Sequence, residues 1–308
     1  ISTALMQSLM AGDLSIDVLP KIIGGRFGLS SKEFTPAMVK AVFDELDKPH
    51  SKNLFTVGIN DDLTHTSLDY DPVFTTEAHA ANFQALFYGL GADGTVSANK
   101  NSIKIIGEQD GFYAQGHFVY DSKKSGAITV SHLRFGAEPI HSAYEIQDNH
   151  ANFIGCHQTD FLKLYPMLDK AAPNSVFLLN TTASSSQAWD TFPTAVQQQI
   201  IDKKIAVYVI DAYQVASESK LGTRINTIMQ TCFFAISGIL PHDEAIARIK
   251  EAVQKTYGHH SKRIVDLNIH AIDATLAQLH SLDIPTQTSN RIPMHEVHSE
   301  NASDFVKQ

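Results

Sequence analysis

A chain of 308 residues, 43% hydrophobic and 19% charged, has the composition of a soluble globular protein of two domains, or of one large domain with an extension. Its formal net charge of −9 argues against a nucleic-acid surface, which needs a clustered basic excess, but leaves room for a small anionic ligand at a locally positive site. Two cysteines, Cys156 and Cys232, are too few for a zinc ribbon or an iron–sulfur cluster held by this chain alone.

Both cysteines sit in apolar runs and read as buried thiols of a reducing compartment. The apolar run Cys232 to Ile236 is broken by Ser237 and Gly238 and is too short to span a bilayer, so no membrane partner is expected. No signal peptide is evident, and the expected location is cytoplasmic. The chain opens on Ile1 rather than Met, as a piece cut from a longer polypeptide would.

Residues 1–50 read as interrupted helix. Leu5, Leu9 and Met10 give a short apolar stripe, and Gly24-Gly25 stops the segment that follows. Thr35-Pro36 opens a helix with proline at its first position, and Met38, Val42, Phe43 and Leu46 share one face. This is the pattern of a packing subdomain. Lys52 to Val73 is a connector with a strand over Leu54 to Ile59 and turn chemistry at Asn60-Asp61-Asp62. No third ligand is spaced near Asp61 and Asp62, so they read as an acidic, solvated loop.

From Phe83 the periods alternate in α/β fashion. A strand over Phe83 to Tyr88 runs into a glycine turn and then a helix that stops at Gly107. Strands over Phe112 to Tyr120 and Ala127 to Phe135 are joined by a turn holding Lys123 and Lys124. Ala151 to Cys156 reads as a short buried strand, Ser175 to Leu179 as a continuous apolar strand of the central parallel kind, and Ile205 to Ile210 as another buried strand. Helices are expected from Thr159, carrying Phe161, Leu162, Tyr165 and Leu168, and over Ser186 to Lys203, Thr223 to Leu240, Pro241 to Tyr257 and Ser261 to Leu282. Beyond Pro285 the sequence is polar and reads as linker. The fold expected is α/β: a mixed, largely parallel sheet flanked by helices, with an N-terminal helical extension from a neighbouring domain.

Gly89, Gly91 and Gly94 spell G-x-G-x-x-G between strand and helix. Such glycines let the backbone approach a diphosphate, and the helix start supplies free N–H groups and positive dipole. They also suit an ordinary strand-to-helix turn. Lys123 and Lys124 lie where a nucleotide-binding layout contacts the ribose, and lysines there suit a phosphorylated ribose; Lys-Lys-Ser-Gly is equally good hairpin chemistry. Arg224 and Asn226 open the helix after Gly222, either as caps or as donors to a ligand. Asn268 lies among apolar neighbours, so the backbone or a ligand must satisfy it. The histidines, His132, His141, His150 and His157 among them, have no metal spacing.

Several longer segments resemble the pyruvate:ferredoxin (flavodoxin) oxidoreductase family: Gly89 to Val96, Ala98 to Lys100, Ile103 to Gly107, Asp121 to Gly126, Ser131 to Gly136 and Arg224 to Phe234, with Gly24 to Lys32 and Phe55 to Ile59 before them. The likeness covers most of the chain to about Leu282. The family's full chain converts pyruvate and coenzyme A to acetyl-CoA and carbon dioxide. It uses thiamine diphosphate, magnesium and iron–sulfur clusters held by domains that this sequence lacks. The resemblance implies three segments: 1–83, the end of a transketolase C-terminal-like domain plus connector; 84–285, a gamma-type domain; and 286–308, a linker. It implies that Gly91, Ala92, Asp93, Gly94, Thr95, Val96, one of Lys123 and Lys124, Asn226 and Asn268 line coenzyme A, with Lys124 before Lys123. Ser97 stands where the family usually has glycine. The partners implied are the remaining domains of the parent, a second copy in a homodimer, and ferredoxin or flavodoxin. The chain alone is expected to be catalytically incomplete. The competing readings are a self-contained NAD(P)-binding dehydrogenase domain and a structural dimerisation module.

Overall fold

The computed structural model describes every residue except 1, 19, 28–33, 62, 76–81, 92, 122–126, 260 and 295–308. The chain divides into two compact units, Ile1–Thr76 and Glu77–Gln308. In the first, α1 (Ser2–Ala11) and α2 (Pro36–Leu46) accompany a two-residue parallel pair, β1 (Gly25–Arg26) with β2 (Phe55–Thr56). The strand expected over Leu54 to Ile59 is only those two residues long, because Leu54 and Gly58 adopt positive φ on either side. Thr35 caps α2 through Met38 N, with Pro36 at its first position. A small core of Met38, Ala41, Phe55, Val57 and Leu68 closes the unit.

The second unit is a sheet between two helical layers. Its strands are β3 (Phe83–Leu90), β4 (Tyr113–Tyr120), β5 (Ile128–Gly136), β6 (Ala151–Cys156), β7 (Ala171–Asn180), β8 (Ala206–Ile210) and β9 (His280–Ser281), in spatial order β4-β5-β3-β6-β7-β8-β9. β3, β6, β7 and β8 run parallel; β5 and β9 flank them antiparallel, and the outermost β4 pairs antiparallel with β5. This is the mixed, largely parallel sheet that the alternation implied.

Side-chain alternation along β3 feeds both layers. Ala85 and Phe87 face α3 (Thr95–Gly107), α7 (Ala212–Glu218), α8 (Asn226–Ile236), α9 (His242–Tyr257) and α10 (Lys262–Gln278). Leu86 and Tyr88 face α4 (Phe161–Leu164), α5 (Ser185–Thr191) and α6 (Thr194–Lys203). Phe233 of α8 is fully buried, with ring centroids 5.1 Å from Phe87 and 5.0 Å from Phe153. Both thiols are buried and unbridged, and burial pushes that of Cys156 up to about 12.

Several helices are shorter than their periodicity suggested. The stretch from Ser186 to Lys203 breaks at Phe192-Pro193, where both residues are extended and proline has no N–H to continue the ladder. The helix expected from Thr159 becomes α4 and a 3-10 turn over Met167–Lys170, parted by Pro166. α8 starts at Asn226 and ends at Ile236, bounded by turns in which Gly222 and Gly238 have positive φ. The last helix stops at Gln278, and His280–Ser281 pairs with β8 instead. α7 was not anticipated; Asp211 caps it, accepting from Gln214 N at 2.9 Å. Part of the polar stretch after Pro285 is bound to the α5–α6 corner: Asn290 Nδ2 donates to the Asp190 and Phe192 carbonyls, and Thr194 N donates to Ile292 O. No helix among the described residues is long and apolar enough to cross a membrane.

Candidate functional site

The parallel strands end on one edge of the sheet, the edge where open α/β sheets bind ligands. β3 delivers the glycine turn there. Gly94 caps α3 in the left-handed region at φ +85, which glycine adopts without the penalty a side chain brings. A Cβ on Gly89 would collide with the Thr95 side chain and lie 2.9 Å from Asp93 Oδ2, so that glycine makes room for the two residues that close the turn. Gly91 N donates to Ala127 O at 3.2 Å, tying the glycine turn to the connection between β4 and β5, just before β5 starts.

The residues of the turn divide into two groups. Asp93 and Thr95 serve the turn itself. Asp93 Oδ2 accepts from Leu90 N at 2.8 Å, and Oδ1 accepts from Thr95 N at 2.9 Å and from the Thr95 hydroxyl at 2.5 Å. Thr95 is fully buried, and its Oγ1 also lies 2.7 Å from His157 Nδ1. Gly94 and Val96 are half-buried at the start of α3, where the first amides lack intrahelical acceptors, and the exposed Gly91 precedes the helix. Ala92, Lys123 and Lys124 lie outside the described residues. The residues flanking the lysine turn are placed: Asp121 N donates to Ile128 O at 3.1 Å, beside Gly91 and Ala127.

Asn226 is the first residue of α8 and packs on the glycine turn. A Cβ on Gly94 would stand 3.1 Å from Asn226 Cβ. The N-termini of α3 and α8, two positive dipole ends, therefore converge on one spot. Beside it opens a cleft of about 420 Å³, lined by Lys220, Arg224, Asn226, Tyr257 and Asn268 among others. A smaller hollow of about 150 Å³ continues over Ser97, Asn101 and Gln230, sharing Asn226 and Tyr257 with the cleft. Lys220 and Arg224 are exposed, which makes the cleft mouth locally positive on an acidic chain.

Asn268 is satisfied by the protein. Its Nδ2 donates to Ile264 O at 2.8 Å, and its Oδ1 accepts from the Thr227 hydroxyl at 3.1 Å, fastening α10 to α8. The fold thus brings Asn226 and Asn268 to one cleft, packs Gly94 against Asn226, and turns Asp93 and Thr95 inward.

Sequence reasoning missed two groups. Gln230 locks α8 to α3 by donating to Ala98 O at 3.1 Å and Ser102 Oγ at 2.9 Å. His157 follows the end of β6, and burial holds its imidazole well below the ordinary value against the opposing pull of Asp93. A further cleft of about 390 Å³ lies at the ends of β6 and β7, lined by His157, Asn180, Thr181 and Tyr213 among others. The available signal was a histidine placed directly after a buried strand.

Similarity to known proteins bears on the same part of the molecule. The family model described as pyruvate ferredoxin/flavodoxin oxidoreductase matches residues 84–278. A pyruvate-flavodoxin oxidoreductase of Nostoc sp. is 56% identical over 93% of this chain and 24% of its own length. A pyruvate:ferredoxin oxidoreductase of Moorella thermoacetica is 48% identical over 88% of this chain and 23% of its own. The chain thus spans about a quarter of the length of these relatives. Among solved structures, a pyruvate oxidoreductase subunit of Thermotoga maritima shares the fold, with a TM-score of 0.52 and 18% identity over 66% of this chain and 99% of that one. With the sheet, the glycine turn and the matched span in agreement, the chain belongs to the pyruvate ferredoxin/flavodoxin oxidoreductase family.

Proposed function

We propose that this chain is the coenzyme A-binding and interdomain-contact portion of a pyruvate:ferredoxin or pyruvate:flavodoxin oxidoreductase, and that it is catalytically incomplete by itself. The observation that supports this best is the convergence of the α3 and α8 N-termini at Gly94 and Asn226, beside a cleft with Lys220 and Arg224 at its mouth. Two dipole ends and two cations suit the diphosphate and ribose phosphate of coenzyme A. Gly91, Ala92, Gly94 and Val96 would offer backbone, Asn226 an amide, and Lys124 or Lys123 an ammonium. Asp93 and Thr95 would shape the turn rather than meet the ligand, and Asn268 would hold the cleft wall.

In this reading the parent carries out the oxidative decarboxylation of pyruvate to acetyl-CoA and passes electrons to ferredoxin or flavodoxin. Thiamine diphosphate, magnesium and the iron–sulfur clusters would belong to its remaining domains; both thiols here are buried in apolar cores. The segments would be 1–83, 84–285 and 286–308, in a parent that forms a homodimer.

An NAD(P)-binding dehydrogenase domain is the poorer fit. In the dinucleotide fold the strand after the glycine helix lies directly beside the first. Here β5 is inserted between β3 and β4, so the end of β4 is one strand further from the turn. Calorimetry of the chain with coenzyme A, its 3′-dephospho form, NAD and NADP tests the reading. Coenzyme A should bind, more weakly as salt rises, and in preference to the dephospho form. Lys123→Ala with Lys124→Ala should erase that preference. Tighter binding of NADP, or equal affinity for both coenzyme A forms, would overturn the assignment of the lysines. Pyruvate-dependent dye reduction by this chain supplied with thiamine diphosphate and magnesium would overturn its incompleteness.

A further inference from the structure

His157 stands at the end of β6, next to the strand that feeds the glycine turn. Its amide donates to Tyr88 O at 2.9 Å, which fixes the residue to β3. Its side chain is 2% exposed. The ring reaches the turn through Thr95, with Nδ1 2.7 Å from Oγ1, and Asp93 Oδ2 lies 3.7 Å from the same nitrogen.

Counting protons orders this chain of contacts. The Asp93 carboxylate has none to give; it accepts from Leu90 N, Thr95 N and the Thr95 hydroxyl. Thr95 has a single hydroxyl proton, and the short contact to Asp93 takes it. The remaining contact to Thr95 Oγ1 therefore needs a donor, and among the described residues Nδ1–H is the one on offer. Burial keeps the ring neutral, so Nε2 carries a lone pair. Nε2 is buried and has no hydrogen-bond partner among the described residues, so all of this ring's bonding to side chains runs toward the turn.

We infer that His157 is a positioning residue for the glycine turn: its Nδ1–H fixes the Thr95 hydroxyl onto Asp93, and Asp93 holds the amides at both ends of the turn, Leu90 and Thr95. The glycine at position 89 belongs to the same device, since a side chain there would displace Thr95 and Asp93. The consequence for coenzyme A rests on the function proposed above; the positioning role itself does not. With the turn held from behind, the Gly94 backbone and the first amides of α3 are set toward Asn226 before a ligand arrives, which lowers the ordering cost of binding.

The test uses the full chain and separates the two claims. Nitrogen-15 spectra of the histidine rings should show His157 neutral with its proton on Nδ1. In His157→Leu, hydrogen exchange at the Leu90 and Thr95 amides should speed up about tenfold, while that of Phe177 in β7 is unchanged. His157→Asn, which puts an amide N–H near the Nδ1 position, should restore slow exchange. Thr95→Val removes the relay hydroxyl at nearly constant volume and should reproduce the leucine variant's effect, which keeps the test open if that variant does not fold. Coenzyme A affinity should follow the exchange, falling about fivefold in His157→Leu or Thr95→Val and recovering in His157→Asn. Unchanged exchange at Leu90 and Thr95, or a proton on Nε2, overturns the positioning role whatever coenzyme A does. If exchange responds and no form binds coenzyme A, the positioning role stands and the ligand assignment falls.

Discussion

His132 is an ionisable residue whose surroundings oppose its charge. Burial, with the nearby His117, Arg134 and Lys170, pushes its imidazole down to about 3. The geometry suits a neutral ring, because Nδ1 accepts from Ile146 N at 2.9 Å. The unfolded chain takes up this proton near pH 6.5, and the folded chain refuses it until about pH 3. Between those values the unfolded state binds more protons, so stability falls as pH drops, by at most about 1.4 kcal/mol per pH unit for one ring. His157, also held down by burial, acts in the same direction. Urea titrations should give a midpoint that is flat above pH 7 and declines below pH 6.5. His132→Asn keeps an acceptor for Ile146 N and should decline less steeply; an unchanged slope would mean that His132 is not the group refusing the proton. At this scale the sequence was partly legible. Gly89 and Gly94 were visible because a turn between strand and helix demands small residues at fixed places. The inward turn of Asp93 and Thr95 was not, because it is set by His157, 62 positions away along the chain.

The strands were the most legible elements. β6 spans the residues read as a short buried strand, Ala151–Cys156, since all of them but Asn152 are buried in the sheet. β9 has only two residues and exists because the edge of β8 is there to pair with. Helix ends were misread where prolines and positive-φ turns outweighed periodicity, as at Pro166 and Pro193. The segment after Pro285 reads as linker by composition, and what its polar residues bind is a helix corner. Gln197, fully buried on α6, donates to Trp189 O at 2.7 Å and to Ser289 Oγ at 3.0 Å, and accepts from Ser289 N at 2.9 Å. Trp189 O still accepts from Phe192 N and Ser289 Oγ still donates to Asp190, so Gln197→Ala strips the acceptor only from Ser289 N and should cost about 1–3 kcal/mol. A protease should then cut between 286 and 294 at concentrations that spare the parent chain. Equal resistance would show that the corner holds the segment without Gln197.

For the molecule as a whole, core size decides the order of unfolding. Among the described residues the cluster in the first unit has five buried hydrophobic members, whereas the two clusters of the second unit pack both faces of a sheet and draw on every helix from α3 to α10. Burial contributes roughly 25 cal/mol per Å² of apolar surface, so the smaller unit has far less to lose before it melts. Calorimetry should resolve two transitions, the minor one first. Residues 77–308 expressed alone should keep the major transition and its midpoint within a few degrees. A single transition for the whole chain, or failure of the shorter one to fold, would show that the units are one cooperative body.

Arg134 adds a consequence in the order of synthesis. Its guanidinium is wholly buried, and its described hydrogen bonds go to neutral oxygens: Gln84 Oε1 at 3.1 Å, Gln115 Oε1 at 3.0 Å, and the carbonyls of Tyr144 and Glu145 at 2.7 and 2.8 Å. Every acceptor lies between residues 84 and 145, ahead of β6. A chain emerging from the ribosome can therefore close this set around the charge while the parallel neighbours of β3 are still unmade. A lysine at 134 would present one ammonium to oxygens spread around a planar fork, and would strand some of them at that stage of growth.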